Sequence, residues 1–128
     1  VGWLIRKLGG FPVHRGKQDI TAIKTSLQVL KRGDVLGIFP EGKRVKQGEN
    51  VRAKTGVALF AYKTKCPVVP VGLSTKNQKR RLFRRVYVKF GTPITFDEFA
   101  FTDGGAKDLQ RASNMIMDRV HSLMEQRT

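Results

Sequence analysis

Apolar and polar positions change their spacing several times along the chain, and each change marks an element. Ile20, Ile23, Leu27 and Leu30 recur at helical spacing after Asp19, which predicts a capped helix over residues 20–32, stopped by Gly33. Before it, Trp3-Leu4-Ile5-Arg6-Lys7-Leu8 is a short amphipathic stretch closed by Gly9-Gly10, and Phe11-Pro12-Val13 is a brief extended segment. After Asp34, the continuous apolar run Val35-Leu36-Gly37-Ile38-Phe39 has the composition of a buried strand. Polar residues 45–54 predict a loop, and the small and apolar residues from Thr55 to Lys65 a buried helix. Val68-Val69-Pro70-Val71-Gly72-Leu73 reads as a fully buried strand interrupted by proline. Val86, Val88 and Phe90 alternate with Tyr87 and Lys89, a half-exposed strand. A last helix over residues 106–126 turns Leu109, Ala112, Ile116, Val120 and Leu123 toward the core.

Helices alternating with strands predict an α/β fold with a mainly parallel sheet flanked by helices. The 128 residues suit one domain with one core, and no internal repeat appears. No stretch approaches the roughly 20 apolar residues needed to cross a bilayer, and no signal-peptide pattern is present. The chain opens on Val1 rather than Met, inside an amphipathic stretch, and reads as a piece of something longer.

Charge changes the picture more than composition does. Lys and Arg number 25 against 10 Asp and Glu, a net charge of +15 that calls for a negative partner: nucleic acid, anionic lipid or a phosphorylated small molecule. Cys66 is the one cysteine, so no intrachain disulfide forms, which fits a reducing compartment. Beside Pro67 at the start of an apolar run, Cys66 reads as a small buried filler; no histidine stands near it in sequence to make it a nucleophile.

Two segments carry candidate chemistry. Phe39-Pro40-Glu41-Gly42-Lys43-Arg44 sets a carboxylate, a flexible glycine and two cations at the carboxyl end of the expected strand, where open α/β sheets collect ligands. An arginine there is suited to forked phosphate contacts, although the same residues also make an ordinary solvent-facing turn. Lys76, Lys79, Arg80, Arg81, Arg84 and Arg85 form a run with no acidic residue among them. They read either as a solvated connection between strands or as an electrostatic dock for anionic lipid or a negatively charged substrate.

Four blocks fall into a recognisable order: Gly10-Phe11-Pro12-Val13-His14-Arg15-Gly16, Phe39-Pro40-Glu41-Gly42-Lys43-Arg44, Lys54-Thr55-Gly56-Val57-Ala58 and Pro67-Val68-Val69-Pro70-Val71. In order and spacing the chain resembles the glycerolipid acyltransferase family. The resemblance implies a glycerol-3-phosphate acyltransferase-like fold, incomplete at the N-terminus, with residues 1–128 as its phosphate- and glycerol-binding half. It implies transfer of an acyl chain from acyl-coenzyme A or acyl-carrier protein to an acylated glycerol phosphate in phospholipid synthesis, without a cofactor or metal, at the cytoplasmic face of the cell membrane. By the same likeness Arg15 binds the acceptor phosphate, Glu41, Gly42 and Arg44 line the glycerol-phosphate pocket, and Pro70 shapes the acyl or acceptor site.

The family's catalytic block, Asn-His followed by four residues and Asp, is expected upstream of Val1, so no catalytic residue is assigned and the fragment alone is expected to be inactive. Lys43 stands where the family usually has Thr, and His14 where relatives are often acidic. His14 and Asp19 repeat the His-x4-Asp spacing, but they follow the phosphate-binding block, and Asp19 fits better as a helix cap. The rival reading is a basic nucleic-acid-binding module, with Phe83 and Tyr87 available to stack on bases. No recognised nucleic-acid motif accompanies them, and Glu41 sits where such a module would want neutrality.

Overall fold

A computed structural model of the protein describes residues 2–13, 19–43, 51–75 and 85–125. The chain divides into two compact units, Val1–Gly37 and Ile38–Thr128.

The first unit holds α1 (Gly2–Lys7) and α2 (Ile20–Lys31). As its spacing predicts, Asp19 caps α2: its Oδ1 accepts from the Ala22 N–H at 3.0 Å, satisfying one orphan donor of the first turn. At the other end Gly33 N–H donates to Leu30 O and Asp34 N–H to Val29 O, the paired bonds of a Schellman stop. The buried stripe is narrower than expected. Ala22 and Ser26 are buried, Ile23, Leu27 and Leu30 are half-buried, and Ile20 is exposed. Burial of Ser26 is tolerated because its hydroxyl donates to Ala22 O at 2.8 Å.

The expected strand over residues 35–39 does not form. That segment is irregular, with Val35 93% and Phe39 74% exposed. An apolar run becomes a buried strand only when neighbours flank it on both sides, and none of the described residues pairs with this one.

The second unit contains α3 (Gly56–Thr64), β1 (Val71–Thr75), β2 (Val86–Phe90), α4 (Phe96–Phe99) and α5 (Ala106–Glu125). The α/β class holds, but the sheet among the described residues is two-stranded and antiparallel, running in register from Val71↔Phe90 to Thr75↔Val86. Only residues 76–85 separate the strands, too few for the crossover of a dozen or more residues that parallel pairing needs. Val68 and Ile94 extend the ladder by exchanging backbone bonds of 3.0 and 2.8 Å.

Small residues let α3 and α5 approach. Ala58, Ala61 and Ala112 are buried with Ile94, Phe99 and Ile116 in one core. Phe101 closes its rim, ring centroid 5.2 Å from Phe99 and 5.3 Å from Tyr62. The sheet packs on α5 through Gly72: a Cβ there would lie 2.9 Å from Leu123 Cβ, closer than two side chains can stand. The reading of residues 68–73 as a fully buried strand is corrected as well, since Gly72 and Pro70 are buried but Val69 and Leu73 are exposed. In β2 the expected alternation is present, with its apolar positions outward.

Candidate functional site

Glu41 and Gly42 sit together in a tight turn. Gly42 N–H donates to Phe39 O at 3.0 Å, and Gly42 has φ +65°, a left-handed conformation that side chains other than glycine strain to adopt. Glu41 is half-buried and Lys43 exposed. The turn does not stand alone. Lys54 N–H donates to Pro40 O at 2.9 Å, bringing the start of α3 back against it. The Lys54 side chain then crosses the glycine: a Cβ at Gly42 would lie 2.7 Å from Lys54 Cε and 3.1 Å from its Nζ. The Lys54 ammonium thus lies over the glycine that follows Glu41, in a turn held by two backbone bonds. The ammonium has three donors for an anion's oxygens, and a carboxylate accepts from a hydroxyl.

Lys54 is the residue sequence reasoning undervalued. It opens the third sequence block, but its place over Gly42 depends on a chain return that no local spacing announces. Pro70 lies elsewhere in the unit, buried before β1, its carbonyl accepting from Gly91 N–H at 2.8 Å. Its missing N–H falls where β1 begins, a position that tolerates proline. Arg85 is exposed at the foot of β2. Arg15, His14, Arg44, Lys76, Lys79, Arg80, Arg81 and Arg84 lie outside the described residues. The structure thus brings Glu41 and Gly42 together and adds Lys54 to them.

A second polar feature is structural. Asp108, buried in the first turn of α5, accepts at Oδ2 from the Thr102 and Gly104 N–H groups at 2.9 and 3.0 Å. Its Oδ1 accepts from Arg111 Nη2 at 2.8 Å, and the same nitrogen donates to Ala100 O at 3.1 Å. The Arg111 hydrogen bond and the two backbone donors hold the Asp108 carboxyl below its ordinary range, against the opposing effect of burial. This network fixes the loop that delivers Phe101 to the core. Beside it an open groove of about 800 Å³ is lined by Arg52, Lys107, Arg111 and Arg119, and among the described residues predicted to bind substrate neither Glu41, Gly42 nor Pro70 lines it. All three of those arginines are engaged, Arg52 by Gln110 at 3.0 Å, Arg111 by Asp108 at 2.8 Å and Arg119 by Glu98 at 2.7 Å.

Among the described residues no helix is long and apolar enough to cross a membrane, and no cluster of His, Cys, Asp and Glu could hold a metal ion.

Comparison with known proteins gives a consistent picture. The Acyltransferase family model matches residues 1–74. A Bacillus subtilis protein named 1-acyl-sn-glycerol-3-phosphate acyltransferase is 33% identical over 102 residues, covering 78% of this chain and 50% of that protein. A Streptococcus pneumoniae protein of the same name is 32% identical over 129 residues, covering 98% of this chain and 46% of its own length. A chloroplast 1-acyl-sn-glycerol-3-phosphate acyltransferase of Brassica napus is 33% identical over 75 residues, 57% of this chain and 22% of that protein. The chain thus spans about half the length of the bacterial relatives. No solved structure matches significantly.

Proposed function

The chain belongs to the acyltransferase family, and from that premise we propose that it forms part of a 1-acylglycerol-3-phosphate acyltransferase, the acceptor-binding part. Its parent would move an acyl chain from a thioester donor, acyl-coenzyme A or acyl-carrier protein, to the free hydroxyl of 1-acylglycerol 3-phosphate, giving phosphatidate without a cofactor. The observation that carries this reading is the turn at Glu41 and Gly42 with the Lys54 ammonium laid over it. It sets an ammonium, a donor for phosphate oxygens, over the glycine next to Glu41, whose carboxylate is an acceptor for a hydroxyl proton, and a glycerol phosphate requires both chemistries.

In this scheme Glu41 accepts a hydrogen bond from the glycerol, and Lys54 with Arg15 and Arg44 neutralises the phosphate. The hydroxyl oxygen attacks the thioester carbonyl, a base takes its proton, and the tetrahedral oxyanion collapses with loss of thiolate. The base and its orienting carboxylate belong to the family's His-x4-Asp block, so the 128 residues alone are proposed to be inactive. The complete domain is proposed to carry the mainly parallel, glycerol-3-phosphate acyltransferase-like sheet. Lys76, Lys79, Arg80, Arg81, Arg84 and Arg85 would hold it against anionic lipid at the cytoplasmic face of the cell membrane, each basic residue near the surface contributing about 1 kcal/mol.

The test is radiolabelled acyl transfer to lysophosphatidate by the polypeptide encoded by the full reading frame. Glu41→Ala and Lys54→Ala are each expected to lower kcat/KM for the acceptor by about tenfold or more, the loss of a charge-assisted hydrogen bond. Near-normal kcat/KM in both variants would remove the acceptor role from this turn.

A further inference from the structure

The two strands of the second unit are finished on one face only. Residues paired across an antiparallel ladder share a face, so Val71 with Phe90, Leu73 with Val88 and Thr75 with Val86 lie together. Gly72 faces the other way, onto Leu123 of α5. The first face carries no charged residue, yet Leu73 is 43%, Val88 49% and Phe90 73% exposed. Contiguous apolar surface of this kind on a sheet marks an interaction site.

The edges are unfinished too. Among the described residues β1 and β2 pair only with each other, which leaves the outward backbone groups of both strands without a ladder partner. That observation separates the candidate occupants. A bilayer would accept the side chains but offers nothing to hydrogen-bond an open sheet edge, which is why open edges do not occur in hydrocarbon. Polypeptide supplies both an apolar layer and further strands. The relatives show how much polypeptide is at issue, since this chain covers only 50% and 46% of two of them.

We propose that the open β1–β2 face is the seat of further acyltransferase polypeptide, part of the length that the relatives possess outside the matched region, which packs on Leu73, Val88 and Phe90 and continues the sheet at a strand edge. The inference rests on family membership and on the exposed face, and is independent of the role given to Glu41.

Photo-cross-linking in the complete reading frame tests it. With p-benzoylphenylalanine in place of Phe90, irradiation should join residue 90 to a peptide outside residues 1–128 of the same molecule, identified by mass spectrometry after digestion. A cross-link to lipid, to a second copy or to another part of residues 1–128 would overturn the proposal. So would no cross-link, or a reading frame that adds no further acyltransferase sequence. Should the bulky probe prevent folding, Val88→Cys in a Cys66→Ser background reads the same contact by maleimide labelling. Burial predicts labelling about tenfold or more slower than in denatured protein, because the thiol reacts only when the region opens. Labelling at the denatured rate would sink it. Neither readout depends on acyl transfer, so a failed Glu41→Ala assay and a failed cross-link point to different errors.

Discussion

Along β1 and β2 the same few residues meet two opposite environments. On the side of α5, Gly72 is so close to Leu123 that it has no room for a methyl group, and behind that contact lie Ile94, Phe99, Ala112 and Ile116 with almost no exposure. One residue further on, Leu73 and its partner Val88 stand in the open. The contrast does not follow composition, since the strand positions on the side of α5 are Gly72, Ser74, Tyr87 and Lys89 and the open ones are the more apolar. It is one of company: hydrophobic side chains record that a face is meant to be buried, and only the rest of the fold says by what.

The contrast can be broken most sharply by truncating one side chain on each face of the 128-residue chain. Phe99→Ala should lower its stability by about 3–5 kcal/mol, the usual loss for a buried aromatic. Val88→Ala should change it by no more than about 0.5 kcal/mol, as for surface positions generally. Urea titration measures both, and equal losses would erase the difference between the faces. A smaller effect sharpens the closed side. Gly72→Leu should cost about 1–3 kcal/mol by forcing β1 away from α5, visible as a lower denaturation midpoint; an unchanged midpoint would mean that the approach of Leu123 is slack.

The smallest effect is confined to acid. Arg111 and two backbone donors favour the ionised form of Asp108, so the unfolded chain binds its proton more readily than the folded one. The stability this contributes is complete above the unfolded value near pH 4 and drains away as pH falls through the lowered folded value. Asp108→Asn should therefore flatten the acid limb of a stability–pH profile. An acid limb identical in both proteins would assign the acid sensitivity to other carboxylates.

The helix boundaries and the packed stripe of α5 were largely legible in the sequence. The cap at Asp19, the stop at Gly33 and the apolar stripe of α5 depend on neighbours within a few residues, and the structure keeps them. Even α4, which periodicity overlooked, had announced itself: Thr95 and Glu98 have the spacing of a capping box, and the Thr95 hydroxyl accepts from Glu98 N–H at 3.3 Å. The strand expected at residues 35–39 and the full burial expected at 68–73 were not legible, because each required a layer whose presence an apolar run cannot report. Pairing direction needed only the short spacing between Thr75 and Val86. At the candidate site the order of blocks pointed to Glu41 and Gly42, whereas Lys54 reaches Gly42 only after the chain doubles back.

That doubling back has a mechanical consequence. Lys54, bonded to Pro40, stands immediately before Thr55 and the first turn of α3, and α3 is clamped through Ala58 and Ala61 to α5. The turn bearing Glu41 is therefore anchored like a bracket to a wall, and the stiffness with which it holds its carboxylate is borrowed from packing more than fifty residues further along the chain.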